Sequence, residues 1–470
     1  MQRTAEYIDA SSRMLDYRGS RDLFSAENVY QAWLDIEAAV ATVQGEMGLI
    51  PAEAADTIAR TARIELLDME KVERDYIRQR HPLMPLLGEL VRKCGEAGRY
   101  VHWGLATQNI QQTGTLYLAL RGHRILLAVL DDILGHLGRL ATEHADTPMA
   151  GRTHGQHAVP ITLGFKFAIW IDELLQARER LLSVEPRVFT ATMGGAVGAF
   201  SALGPRGPEM QDRVAEKLGM HSMSLPSRSN RTHMCEYVQL LALCASSFHK
   251  IGEEVAQSSS VEYSELFEVH TDGVIGSSTM PQKVNPKLSM GLMANCQKLY
   301  ALSSMMLQTA HRPFEGDACA NVIYDNGTAE AMELATAIFV RAEALIGGLR
   351  ADPARMERNL HSSDGRIFSE GIMMKLAPTV GRGEAHDLVY RAAMDSREGG
   401  ESFLERLRVP GIAEILFEDT DGAPRLKAEG QYGLSPQIAR DFGARATEAS
   451  RGAKPVAASV PPKVSSVRGA

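Results

Sequence analysis

The apolar positions of the chain fall into helical rhythms separated by polar punctuation. Trp33, Ile36, Ala39, Val40 and Val43 step by three and four along one face of an amphipathic helix that Gly48 and Pro51 close. Ala168, Ile171, Leu175 and Leu182 repeat the pattern over 161–184. Val238, Leu241, Ala245, Phe248, Gly252 and Val255 do so within 229–260. Leu288, Leu292, Asn295, Leu299, Leu302 and Met306 mark a helix over 286–311, and comparable stretches lie near 115–143 and 327–348. The five segments after the first can bury their seams only against each other, and a sustained three-four spacing favours nearly parallel bundle packing. Beyond Asp352 the pattern shortens to helices near 354–361, 369–377, 383–395 and 400–407. The prediction is an all-α, three-lobed chain. An N-terminal helical domain covers 1–111, a central long-helix bundle 112–351 and a small helical C-terminal domain 352–445. Residues 446–470, rich in Ala, Ser, Pro and Val, form no amphipathic face and are predicted to be disordered.

Composition narrows the function classes. The 470 residues suffice for a large core, and scarce aromatics beside abundant Ala, Leu, Met and Glu favour helix. A net charge of −8 gives no footprint for nucleic acid or for an anionic membrane, so an anionic ligand must be drawn by local groups. Five scattered cysteines without metal spacing suit buried thiols in a reducing compartment. The opening MQRTAEYIDASSRM has no apolar signal region, and nowhere do eighteen apolar residues run together. A cytoplasmic protein is expected.

The chemistry concentrates in TDGVIGSSTMPQKVNP, residues 271–286. Gly273 and Gly276 loosen this stretch, Pro281 and Pro286 punctuate it, and the loop runs into a helix start. A lysine for charge, an asparagine as donor and helix-start amides together suit an anionic substrate. Three other polar blocks stand out. VHWGLATQNIQQT (101–113) reads as a turn leading into a helix N-terminus, capped by Thr107 or Asn109. GRTHGQHAVP (151–160) brackets Thr153 and His154 with glycines just before a helix. IRQRHPLMPLL (77–87) places His81 in a turn before Pro82. Arg18 and Arg21 precede the first helix as solvated charges or carboxylate ligands. The Gly/Ala-rich TMGGAVGAFSALG (192–204) lacks the context of a phosphate or dinucleotide loop and reads as close packing of chain on helix.

GSSTMPQKVNP resembles the GSSxMPxKxNP signature of the fumarase/aspartase superfamily, and GRTHGQ resembles its GRTHxQ block. The 101–113 stretch is similar to the block in which a histidine and a Thr/Ser–x–Asn/Asp pair line the cleft. The ending LKAEGQYGLSPQIARDF (426–442) resembles that of the muconate cycloisomerase branch. The resemblance implies a homotetramer built around a twenty-helix core, with each active site assembled from three subunits. It implies proton abstraction beside a carboxylate by Ser277 as general base, with His154 as candidate acid toward the leaving group. Lys283 and Asn285 would hold the carboxylate beside the acidic carbon. Thr153, His102, Thr107, Gln108, Asn109 and His81 would line the substrate, with Ser278 and Met280 in the loop. Arg21 and Arg231 are further substrate-binding candidates, and Arg228 or Arg231 could bind a second carboxylate. Neither metal nor organic cofactor is implied.

Two departures shape the substrate expectation. Many superfamily members carry a glutamate seven residues after the signature lysine, supporting the catalytic histidine; here that position is Met290. His154 should then be a weaker proton relay, which points to a leaving group needing little protonation or to another acid. The segment HRPFEGDACANVIYDNG (311–327) lacks the arginines and serines with which adenylosuccinate lyases grip a nucleotide phosphate. A purine or arginine-pathway role is disfavoured. The leading expectation is a cofactor-free lyase that cleaves a C–N or C–X bond in a substituted succinate, a small dicarboxylate, and releases fumarate or a close analogue. The alternatives are a 3-carboxy-cis,cis-muconate cycloisomerase-type enzyme, a nitrosuccinate-type lyase and a non-catalytic structural homologue.

Overall fold

The computed structural model of the chain describes residues 14–269, 277–311, 313–397, 400–420, 423–427 and 430–452. Expectations placed on 271–276, including Gly273 and Gly276, and on the tail from 453 onward lie outside the described residues. The fold is all-α with a few short two-stranded pairings.

Four helices build the first lobe: α1 (Ala26–Glu46), α2 (Ala52–Thr61), α3 (Met69–Gln79) and α4 (Met84–Cys94). Ser25 caps α1 by accepting from Asn28 N, and the predicted apolar face of α1 is buried. The core of this lobe also takes in Ala191, Met193, Met210 and Val214. The 190–218 region, including α7 (Gly207–Lys217), thus packs on the first lobe although it is threaded between bundle helices.

The bundle consists of α5 (Thr107–Glu143), α6 (Leu163–Val188), α8 (Thr232–Ser258), α9 (Lys287–Met306) and α10 (Ala318–Gly347). Their directions follow from cross-contacts. Gln108 meets Asn321, and Gly122 abuts Met332, so α5 and α10 run parallel. Gln239 donates to Ser303 O at 2.7 Å, whereas Gly252 abuts Leu292, so α8 and α9 run antiparallel. Arg187 pairs with Glu236 and Lys166 with Glu254, opposing α6 to α8. The N-termini of α5, α8 and α10 therefore lie at one end, and those of α6 and α9 at the other.

Two elements differ from the sequence expectation. α10 begins at Ala318, nine residues before the expected start, because Asp317 caps it by accepting from Ala320 N at 2.7 Å. The 151–160 block is not the lead-in to a helix but part of a hairpin, β1 (Pro148–Thr153) with β2 (Gln156–Thr162).

The C-terminal lobe comprises α11 (Pro353–His361), α12 (Ser369–Val380), α13 (Arg382–Asp395) and the short α14 (Phe403–Arg406) and α15 (Ala413–Leu416). The chain then returns to the bundle through α16 (Ser435–Arg451). Gly443 of α16 and Gly138 of α5 sit so close that a Cβ on either would meet the other's carbonyl oxygen, at 3.1 and 2.9 Å. Ala446 joins the bundle core. The expected break at 446 falls inside this helix, which continues six residues further to Arg451, held by that glycine contact. Of the cysteines expected to be buried, Cys94, Cys235, Cys244 and Cys296 are, while Cys319 is exposed. No described helix is long and apolar enough to cross a membrane.

Candidate active site

The predicted site residues gather at two opposite ends of the bundle. At the first end, Thr107 opens α5 half-buried, with Gln108 and Asn109 buried behind it. Asn109 is spent on structure. Its Oδ1 accepts from Ala106 N at 2.9 Å and Gly195 N at 3.2 Å, and its Nδ2 donates to Gly195 O at 3.4 Å. This clamp fixes the Gly-rich 192–204 segment on the first turn of α5, in agreement with a packing role. Gln108 Oε1 accepts from Asn321 Nδ2 at 3.1 Å, while its buried Nε2 has no partner among the described residues.

Arg231 precedes α8 and is buried, 1 % exposed. Its Nε donates to Arg228 O at 3.2 Å, Nη1 to Ala320 O at 2.9 Å and Nη2 to Asn321 Oδ1, and the guanidinium lies over the Tyr324 ring. Its donors are thus engaged within the fold, and Arg231 positions Asn321 and through it Gln108. Burial lowers its pKa, while Asp325 nearby, itself pushed up to about 6 by burial, partly offsets that. Asn321 and Asp325 went unnoticed in the sequence; polar residues four apart on an otherwise apolar helix are the signal that could have found them.

Other candidates serve as local ties. His81 Nδ1 accepts from Leu83 N and Met84 N, both at 3.2 Å, capping α4. His102 Nδ1 lies 2.7 Å from Glu37 Oε1 of α1. Arg18 is bound by Asp132 and Glu343, near the middle and far end of the bundle. Arg21 stacks over Tyr17, its guanidinium carbon 4.3 Å from the ring centroid.

The second end carries Thr153, His154 and the signature loop. Thr153 pairs with Gln156, leaving His154 and Gly155 as a two-residue turn with φ of 53° and 73°. Positive φ at both positions is the geometry of a tight hairpin loop, which Gly155 accepts freely and His154 at some strain. The histidine is thereby exposed at a hairpin tip. Below it, Arg152 makes a two-pronged ion pair with buried Glu265 at 2.9 and 2.7 Å, tying the hairpin to the residue just before the short strand Leu266–Phe267, on the way to the signature loop.

In the loop, Ser277 is half-buried and its Oγ accepts from Thr279 N at 3.4 Å and Met280 N at 3.2 Å. Ser278, Met280 and Lys283 are exposed, and Asn285 is half-buried. The helix-start amides expected to face an anionic substrate are already taken: Glu268 accepts from Leu288 N at 3.0 Å and Ser289 N at 2.6 Å. A carboxylate from the chain itself satisfies the positive end of α9.

α5 has 37 residues, about 55 Å at 1.5 Å per residue, and it separates the two ends. One protomer therefore does not bring Thr107 together with Ser277.

Comparison with known proteins accords with these blocks. Residues 19–298 match the family model described as Lyase, and residues 365–418 match that for the adenylosuccinate lyase C-terminus. The chain is 32 % identical over 401 residues to N-acetyl-S-(2-succino)cysteine lyase of Dickeya dadantii, covering 85 % of this chain and 88 % of that one. It is 32 % identical over 432 residues to adenylosuccinate lyase of Pyrococcus abyssi, covering 90 % and 95 %. The structure of 3-carboxy-cis,cis-muconate lactonizing enzyme from Pseudomonas putida superposes with a TM-score of 0.81 at 26 % identity, covering 95 % and 99 %. With a family match over more than half its length and relatives spanning most of it, the chain belongs to the lyases of the fumarase/aspartase superfamily.

Proposed function

We propose that this protein catalyses β-elimination from a substituted succinate, releasing fumarate, and that its leaving group is a thiolate. The observation that carries the elimination reading is the environment of Ser277. Two backbone amides point at its Oγ, and Lys283, six residues on in the same turn-rich loop, is exposed and supplies the cation. Amides and a nearby cation are what a serine needs to act as a base, since they stabilise the alkoxide. Ser277 takes the proton from the carbon beside the succinyl carboxylate, and Lys283 and Asn285 hold that carboxylate as charge builds on it. The electron pair left behind forms the double bond and expels the substituent from the neighbouring carbon.

Met290 favours sulfur over nitrogen as that substituent. It is 54 % exposed in the first turn of α9, where a carboxylate would support the acid. A thiol of ordinary pKa leaves unprotonated at pH 7 at a cost of about 2 kcal/mol, whereas a departing amine must gain a proton as the bond breaks. The succino-cysteine in the name of the Dickeya relative is such a thioether. The 55 Å between the two ends further supports a site that takes Thr107 and Gln108 from one copy and Ser277 from another, as in a homotetramer with sites shared by three subunits. His154, at the tip of its hairpin, can then reach the leaving group from a further copy.

The test runs the reaction backwards. Fumarate is offered with a pool of thiols, amines, amino acids and nitrite, and adducts are identified by mass spectrometry beside a Ser277→Ala control. Thioether adducts formed only by the intact serine are expected; adducts of amines alone would overturn the choice of leaving group. The muconate-type cycloisomerase is the second reading, favoured by the close superposition with the lactonizing enzyme. Turnover of carboxymuconate without any fumarate adduct would establish it instead.

A further inference from the structure

The first end of the bundle carries two neighbouring arginines, Arg228 and Arg231. Arg228 stands three residues before Arg231, half-buried between the 194–198 turn and the segment entering α10. Its Nη1 donates to Ala196 O at 3.1 Å, its Nε is buried without an acceptor among the described residues, and its guanidinium lies against Gly316. Among the described residues no carboxylate comes within ion-pair distance of it. Asp317 caps its own helix, and exposed Glu315 does not reach it. Arg231 beside it is likewise bonded only to neutral acceptors. Two adjacent guanidiniums in a partly dry corner repel each other, and Asp325 offsets only part of the cost of burying Arg231. The N-termini of α5 and α8 lie there, adding positive potential that the Asp317 cap removes from α10, and Nε2 of Gln108, 5 % exposed and without a partner among the described residues, offers one more donor. The corner also adjoins the succinyl subsite. Gly195, next to Ala196, is clamped by Asn109, and Asn321 links Arg231 to Gln108, one residue from Thr107.

We infer that this corner binds a carboxylate on the leaving group, with Arg228 as the residue that selects for it. The inference rests on the elimination reading and adds to it the class of substrate: a succinate whose departing portion is itself an acid, such as an acylated amino acid. Arg231 does not serve here, because its donors are committed to holding Asn321; Arg228 keeps donors to give. An arginine with unengaged N–H groups suits a carboxylate, since the guanidinium fork matches its two oxygens.

Two probes differing in one group test this. The succinyl thioether of N-acetylcysteine carries the carboxylate, and that of N-acetylcysteamine lacks it but is otherwise the same. Fumarate release is measured for both with wild type, Arg228→Gln and Arg228→Lys. Wild type should favour the acid by about 10- to 100-fold in kcat/KM, the range of a hydrogen bond to a charged group. Arg228→Gln should remove that preference, mainly through KM, while leaving the carboxylate-free probe within twofold of wild type. That unchanged probe also shows that the variant is folded. Arg228→Lys should regain part of the preference. Equal slowing of both probes in Arg228→Gln, or no preference in wild type, would overturn the assignment and leave the elimination reading intact. Fumarate from neither probe with wild type would sink both.

Discussion

Asp325 shows how a single residue records the cost of the polar end of the bundle. It lies on α10 beside Tyr324, whose buried hydroxyl has no partner among the described residues, and one of its own oxygens is likewise buried and unpaired among them. Burial pushes its carboxyl up to about 6, against the opposing pull of Arg231 and a hydrogen bond from Thr115. A carboxyl raised in the fold favours the protonated form, so its stabilising contribution is complete below the unfolded value near 4 and is lost as pH rises through about 6. Asp325→Asn should therefore stabilise the protein at pH 7.5, by an amount on the order of 3 kcal/mol at most, and change little at pH 4. Thermal melts of both proteins across that range check it; a variant less stable at pH 7.5 would mean that the charge of Asp325 is needed to offset Arg231. Arg231 was legible in the sequence as a charge near the site. That it faces inward was not, because a loop arginine before a helix carries no periodic sign of burial. Its acceptors, Ala320 O and Asn321, come from a helix start misplaced by nine residues.

At the scale of elements, the pair Arg152–Glu265 joins the hairpin β1–β2 to the residue just before the short strand Leu266–Phe267, on the way to the signature loop. Asn359 of α11 adds a hydrogen bond to Glu265 Oε1 at 2.8 Å, so the C-terminal lobe shares the joint. Glu265→Ala strands Arg152, 18 % exposed, without its carboxylate and should cost about 3 kcal/mol of stability, typical for breaking a buried pair. It should also loosen the hairpin that presents His154. Denaturant melts measure the first effect, and faster amide exchange in 148–162 the second; protection unchanged in that hairpin would show that the joint does not hold it. The long helices were legible because seams of 20 to 37 residues can be buried in only one way. The hairpin was not. GRTHGQHAVP is short, lacks clean alternation and is followed at once by a helix, so its pairing emerges only from the turn at His154–Gly155. The return of α16 to the bundle was equally hidden, since it depends on two glycines, Gly138 and Gly443, that lie three hundred residues apart and read singly as helix weakeners.

For the whole molecule, the decisive fact is distance. Thr107 and Gln108 lie at one end of a helix about 55 Å long, and Ser277 and His154 at the other. A site that uses both ends must join different copies. Chains with Ser277→Ala and chains with Thr107→Glu should each be inactive alone. Co-expressed, they should recover about a quarter of wild-type activity, because sites drawing the two blocks from different chains are then intact in that proportion. No recovery in mixed oligomers would place both blocks in one chain's site and contradict the geometry. The motifs named the chemical groups; only the directions of the helices reveal that one chain does not assemble them.

The measurement that bears most directly on the proposed activity is fumarate release from the succinyl thioether of N-acetylcysteine by wild type and by Ser277→Ala. The account predicts turnover by wild type and a loss of at least about a thousandfold in kcat for the variant, with the fold and assembly unchanged, since a base acting in the transition state is removed. Turnover that survives the loss of Ser277 would contradict it.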